Sequence, residues 1–134
     1  MSYAELHCHS YYSFHDGASS LEELLMKAKQ LGYRAVALTD HDNLCGAMRF
    51  AQLGRSPAIH AIIGAELTLK GGYHLTLLAR DRKGYCNLSR LITSAHLSSE
   101  RNSPELDSAL LPEHASGLIA LSGCPRGELA QRIE

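Results

Sequence analysis

Imidazoles and carboxylates recur in this chain where apolar runs give way to polar residues. The stretch LHCHSYYSFHDG places His7 and His9 one residue apart, with Asp16 following on. TDHD brings Asp40, His41 and Asp42 together, Glu66 stands inside the apolar IIGAEL, His74 opens HLTLLA, and Cys124 closes ALSGC. Any one of these has a bland explanation. A lone histidine on an apolar face is usually a satisfied structural residue, and TDHD reads equally as a turn whose aspartate caps the next helix. Glu66 resists that reading, because a charged group in an apolar strand is costly unless paired. The joint pattern points to metal. Imidazole, carboxylate and thiolate together suit zinc, manganese or iron better than calcium, which prefers all-oxygen cages. The donors exceed the roughly four that one tetrahedral ion takes. A centre of two or three ions fits the count, with Glu66 able to bridge two of them.

Clustered divalent ions lower the pKa of bound water and neutralise the oxygens of a phosphoryl group under attack, so phosphoester hydrolysis is the chemistry such a set serves best. Asp40 and Asp42 fit better as groups that orient His41 or cap a helix than as direct ligands. His15, His60, His96 and His114 lack the placement of the others and read as ordinary structural residues, although His15, beside Asp16, could serve as a substitute ligand. Cys8, Cys45 and Cys86 read as small apolar packing residues.

The elements that must hold these groups alternate along the chain. YAELHCH reads as a strand, with His7 and His9 on one face and Cys8 on the other. SSLEELLMKAKQLG reads as a helix: Ser20 and Glu23 form a capping box, Leu21, Leu24, Leu25, Ala28 and Leu31 an apolar stripe, and Gly32 the stop. YRAVALTDHD is a buried strand and GAMRFAQLG a short helix. HAIIGAELTL and YHLTLLA are joined by KGG, which favours a hairpin and brings His74 alongside Glu66. GYCNLSRLITSAHLSS carries Leu88, Leu91, Ile92 and Ala95 at helical spacing. A proline-broken polar stretch with a short helix follows, then the strand GLIALSGC and a helix from PRGELAQRIE. Alternating strands and helices predict an α/β fold with a largely parallel sheet, whose sites gather at the carboxyl ends of the strands.

With 134 residues, this is one domain at most. A formal charge of −1 excludes a module that grips nucleic acid by bulk electrostatics, so a phosphate would have to be held by something other than a basic face. The four cysteines form no Cys-x-x-Cys pair, which argues against a zinc ribbon or a disulfide framework and suits a reducing cytoplasm. No apolar run approaches the ~20 residues that span a bilayer, so no membrane is expected as a partner.

LHCHSYYSFHDG, ALTDHDNLCGAMRF, GAEL, HLTLLARDRKGYCNLSRLIT and LSGCPRGEL resemble, in order and spacing, the polymerase and histidinol phosphatase (PHP) domain. The likeness covers nearly the whole chain. It is greatest to the PHP domain that opens bacterial C-family DNA polymerases, and within those to the error-prone branch. The resemblance implies a distorted (βα)7 barrel with a trinuclear centre at its mouth. His7 and His9 would hold one ion, Asp16 and His41 a second, and His74 and Cys124 a third, with Glu66 bridging. Up to three divalent ions (Zn, Mn or Mg) are then the expected cofactors. DNA or another phosphoester is the expected substrate, and the rest of a polymerase chain is the expected partner. The expected activity is metal-dependent phosphoester hydrolysis, in some members as a 3′→5′ exonuclease. The alternatives are a structural PHP domain and a free-standing phosphatase of the histidinol phosphate type.

The family pattern ends in a further Asp-x-His pair that does not follow Cys124 here, and a complete barrel of this kind needs about 200 residues or more. The final helical pattern also reaches Glu134 without a stop signal. Residues 1–134 are therefore expected to form an incomplete barrel, the N-terminal portion of a PHP domain, without robust catalysis in isolation.

Overall fold

Local signals of capping, alternation and turn chemistry decide where the elements of this protein begin and end. The structure, a computed structural model, describes residues 3–55, 59–122 and 125–131. Its elements run β1 (Ala4–Cys8), α1 (Leu21–Gln30), β2 (Ala35–Leu38), α2 (Ala47–Leu53), β3 (His60–Thr68) and β4 (His74–Ala79). There follow α3 (Arg82–Ser98), a 3-10 turn (Ser108–Leu110), α4 (Leu111–His114), β5 (Leu118–Ala120) and α5 (Glu128–Gln131).

At the start of α1 the Ser20 hydroxyl accepts from the Glu23 N–H, and the Glu23 carboxylate accepts from the Ser20 N–H. Two donors of the first turn are thereby satisfied. Gly32, at φ +72°, carries the chain out of the helix in a conformation that glycine adopts without steric cost. Helix α3 starts earlier than the apolar stripe implied, because the Asp81 carboxylate caps it by accepting from the Gly84 N–H.

The strands lie side by side in chain order, β1-β2-β3-β4-β5. The first two pairings are parallel and the last two antiparallel. The expectation of a largely parallel sheet is thus corrected to a mixed one. The cause is local. Gly71 at φ +96° and Gly72 at φ +83° close a tight hairpin between β3 and β4, so β4 runs against the other four strands. Among the described residues β1 pairs only with β2 and β5 only with β4, so the sheet is open and does not close into a barrel.

Alternation along the strands sorts the two faces. Ala65, Leu67, Leu77 and Leu118 pack with Leu88, Leu91 and Ala95 of α3. Val36, Leu38, Ala61 and Ile63 pack with Leu21, Leu25, Ala28 and Phe50 of α1 and α2. The even-numbered residues of β3 and β4 face the other way, where Glu66 lies opposite Thr76 and Gly64 opposite Leu78. Neither of the two core clusters draws on those even-numbered residues. An apolar groove of about 680 Å³ opens beside Leu6, Ile62, Leu78, Ile119 and Leu121, and no described candidate ligand lines it. Its size therefore does not mark the chemistry. No helix among the described residues is long and apolar enough to cross a membrane.

Phe50 is fully buried and joins α2 to the cluster of α1, β2 and β3. Phe50→Ala should lower the unfolding free energy by about 3–5 kcal/mol in urea denaturation. A loss below about 1 kcal/mol would show that α2 does not anchor this half of the core.

Candidate metal centre

The carboxyl end of β1 sends two imidazoles in one direction. His7 and His9 leave the chain on the same side, and the Nε2 of each lies 2.8 Å from Glu66 Oε2. Glu66 reaches that position because pairing between the second and third strands continues beyond Leu38. Its N–H donates to the Asp40 carbonyl at 3.1 Å, and its carbonyl accepts from the Asp42 N–H at 2.9 Å. His41 is thereby set beside Glu66, with Nε2 3.6 Å from Glu66 Oε2 and 3.1 Å from Asp16 Oδ2. The hairpin adds the fourth ring, His74, whose Nδ1 is 3.2 Å from Glu66 Oε1. Reversal of β4 explains this. The start of that strand lies at the carboxyl end of its neighbours.

Neighbouring rings stand close together. Their centroids are 5.0 Å apart for His7 and His9, 4.4 Å for His9 and His41, and 5.1 Å for His41 and His74. Glu66, at 1 % exposure, is almost wholly out of water. A buried carboxylate is tolerable only with donors or cations around it. Each nitrogen here serves as a hydrogen-bond donor when it carries a proton and as a metal ligand when it does not.

Two triads have one ligand atom from each residue all within 4.8 Å of one another: His7, His9 and Glu66, and His41, Glu66 and His74. Bonds of about 2.0–2.2 Å to a shared ion put neighbouring ligands roughly 3–3.5 Å apart. The nitrogen–oxygen separations of 2.8–3.6 Å around Glu66 match that spacing. Each cluster therefore suits one divalent ion, and imidazole with carboxylate is the donor chemistry of such sites. Thr76, opposite Glu66 on the same face, is 1 % exposed, and its hydroxyl has no hydrogen-bond partner among the described residues. An orphaned buried hydroxyl beside the triads fits a site built to take further ligand groups.

Two aspartates flank His41 and staple the segments around it. Asp40 Oδ1 accepts from the Ser10 N–H at 2.7 Å and the Ser13 hydroxyl at 2.6 Å, while Oδ2 accepts from the Ser10 hydroxyl at 2.8 Å. Asp42 accepts from the Thr68 N–H at 2.8 Å and the Thr68 hydroxyl at 2.7 Å. Their oxygens thus bond to backbone and hydroxyls of the neighbouring segments, and they fix His41 through the chain rather than through its ring. Asp42 sits at φ +51°, a left-handed conformation that aspartate tolerates better than most residues.

His96, with no role expected from its position, places Nε2 2.7 Å from the Asp42 carbonyl. Ser10, Ser13, Thr68 and Thr76 were also not legible as part of the site. The one available signal was hydroxyl residues beside the ionisable ones, which is common in loops. His15 and His60 are exposed, and His15 adopts φ +72° in the turn before Asp16. Cys124 lies outside the described residues. Burial pushes the Cys8 thiol up to about 11, with the Glu5 and Asp40 charges adding to the shift, so it remains an uncharged packing group. Cys45 and Cys86 are exposed, which corrects their reading as packing residues. One occupies the turn before α2 and the other the solvent side of α3.

Residues 5–134 match the family model of the PHP domain. The chain is 50 % identical over 149 residues to the error-prone DNA polymerase of Symbiobacterium thermophilum, an alignment covering 99 % of this chain and 14 % of that protein. It is 43 % identical over 143 residues to the DNA polymerase III subunit alpha of Treponema pallidum, covering 96 % of this chain and 12 % of that one. The chain thus spans a small fraction of the length of these curated relatives. Among solved structures, an amidohydrolase from Chromobacterium violaceum with bound sulfate and no metal aligns with a TM-score of 0.58. That alignment has 28 % identity and covers 71 % of this chain and 34 % of that one.

Burial is the largest influence on the His41 imidazole and lowers its pKa from 6.5; Glu66 and Asp16 oppose that shift, while His9 and His74 reinforce it. The unfolded chain takes up this proton more readily than the folded one. The contribution to stability is therefore complete above the ordinary value and lost as pH falls through it toward the folded value. In chelator-treated protein, the NMR titration of His41 should have its midpoint below 6.5. A midpoint above that value would mean that the carboxylates outweigh burial.

Proposed function

This chain belongs to the PHP domain family, and we propose that it supplies the metal-binding, phosphoesterase-type domain of an error-prone DNA polymerase. The observation that carries this reading is the buried carboxylate of Glu66, with four imidazole nitrogens 2.8–3.6 Å from its oxygens. Neutral imidazoles around a buried carboxylate form a donor set that suits bound divalent cations.

His7 and His9 with Glu66 would hold one divalent ion, and His41 and His74 with Glu66 a second. Asp16, beside His41, would complete the second set. With a third ion bound, as the family resemblance implies, His74 would instead join Cys124 on that ion and leave the second to His41, Asp16 and Glu66. Zinc, manganese and magnesium are the candidates, with the imidazole content favouring the first two. Bound ions of this kind supply an activated water and neutralise phosphoryl oxygens.

The protein's own residues have separate tasks. Glu66 offsets cationic charge at the centre of the site. The depressed pKa of His41 keeps its lone pair available at neutral pH. The half-exposed Asp16 marks the side from which a substrate can approach, since its side chain is 40 % accessible whereas that of Glu66 is 1 %. The substrate we propose is a DNA phosphodiester, cleaved as a metal-dependent 3′→5′ exonuclease, and the partner is the remainder of the polymerase chain working in the cytoplasm. What the relatives' names say of DNA synthesis supports this choice.

The test uses the full-length parent protein. His7→Ala with His9→Ala should remove at least one bound ion by elemental analysis and reduce manganese-dependent nuclease turnover by roughly 100-fold, with DNA synthesis retained. Unchanged metal content in the double variant contradicts the assignment. Bound metal without nuclease activity in the wild type would instead make the domain a structural part of the polymerase.

A further inference from the structure

We infer that Ser13 is a positioning residue that couples Asp16 to His41, an inference resting on the metal-binding reading of those two side chains. Ser13 is 1 % exposed and sits in the loop between β1 and α1. Its hydroxyl donates to Asp40 Oδ1 at 2.6 Å and accepts from the His41 N–H at 3.0 Å. A hydroxyl has one proton to give. With that proton committed to Asp40, the lone pairs are what face the His41 amide, so the direction of both bonds is set.

The main chain of the same residue carries the other half of the pair. The Ser13 carbonyl accepts from the Asp16 N–H at 3.1 Å and the Gly17 N–H at 2.9 Å, and the Ser13 N–H donates to the Ser10 carbonyl at 2.9 Å. These bonds form the tight turn that presents Asp16. The turn presses on the Ser10 backbone so closely that a Cβ on Gly17 would lie 2.0 Å from the Ser10 carbonyl oxygen. One residue therefore sets Asp16 through its backbone and His41 through its side chain, and the two meet at 3.1 Å between Asp16 Oδ2 and His41 Nε2.

The triad of His7, His9 and Glu66 shares Asp40 with this network, through Ser10 beside His9, but its other supports do not pass through the Ser13 hydroxyl. The Cys8 N–H donates to the Thr39 hydroxyl at 3.0 Å, and Glu66 is held between the Asp40 carbonyl and the Asp42 amide. Removing the Ser13 hydroxyl should accordingly loosen one ion site and spare the other. A residue that only stabilised the fold would weaken both together or neither.

The experiment is calorimetric titration of chelator-stripped, full-length protein with Mn²⁺ alone, at a temperature where every variant is folded. Wild type should show at least two classes of site. Ser13→Ala should weaken one class roughly 10- to 100-fold and leave the other within about threefold, and Ser13→Thr, which keeps the hydroxyl, should restore it. Asn87→Ala is the control. Asn87 is buried on α3, bonded to the Ser116 carbonyl and belongs to neither triad, so its substitution should lower the melting temperature without altering either class.

Wild-type affinity at both classes in Ser13→Ala overturns the inference while leaving the metal reading intact. Equal weakening of both classes also overturns it. Absence of Mn²⁺ uptake by wild type overturns both. Should Ser13→Ala fail to fold, amide exchange in the wild type reads the same link. The Asp16, Gly17 and His41 amides, all donors to Ser13, should gain protection together on Mn²⁺ addition, and protection of His41 alone contradicts the coupling.

Discussion

A buried carboxylate at the meeting point of several imidazoles constrains everything around it. Glu66 is almost inaccessible to water, and leaving its charge without partners would cost several kcal/mol. The sheet meets that demand by geometry. Parallel pairing brings the ends of the first two strands alongside Glu66, and a reversed fourth strand returns His74 to the same end. Four successive strand segments thus contribute to one small volume. The opposite face of the same strands is occupied by leucine and alanine packed on helices, so the polar cluster sits on a rigid support. A small error in strand register would turn Glu66 into that apolar layer.

Support for the cluster comes in two tiers. The strands fix Glu66 and His74 directly, because both lie within the regular ladder. His9, Asp16 and His41 lie beyond the regular strands and depend on side-chain bonds to hold their loops. Asp40 ties the end of the first strand to the second, and Asp42 ties the second to the third through Thr68. Buried carboxylates that accept several hydrogen bonds are well suited to this task, because charge-assisted bonds are the stronger ones. Family membership is consistent with the arrangement, since the open five-stranded sheet and its ligand clusters occupy the span that the PHP model matches.

Much of this was readable from residue order. The alternation in LHCH put His7 and His9 on one side, the capping box placed α1, and the glycines of KGG predicted the hairpin that carries His74 to Glu66. These features are local, and local features survive in a single sequence. The mixed character of the sheet was less apparent, because strand–helix alternation suggests parallel pairing and one hairpin is enough to reverse a strand. The exposure of Cys45 and Cys86 depends on which way a turn and a helix face, which composition does not reveal. Ser10, Ser13 and Thr68 were invisible for a related reason. A serine in a loop is ordinary, and its importance arises only when folding brings a buried aspartate within hydrogen-bond reach.

Anomalous X-ray diffraction from crystals of the full-length protein grown with Mn²⁺ or Zn²⁺ would test the central claim most directly. The account predicts at least two anomalous peaks bonded to Glu66, one also bonded to His7 and His9 and another to His41 and His74. Density showing Glu66 hydrogen-bonded to those rings, with no anomalous scatterer among them at saturating metal, would contradict it.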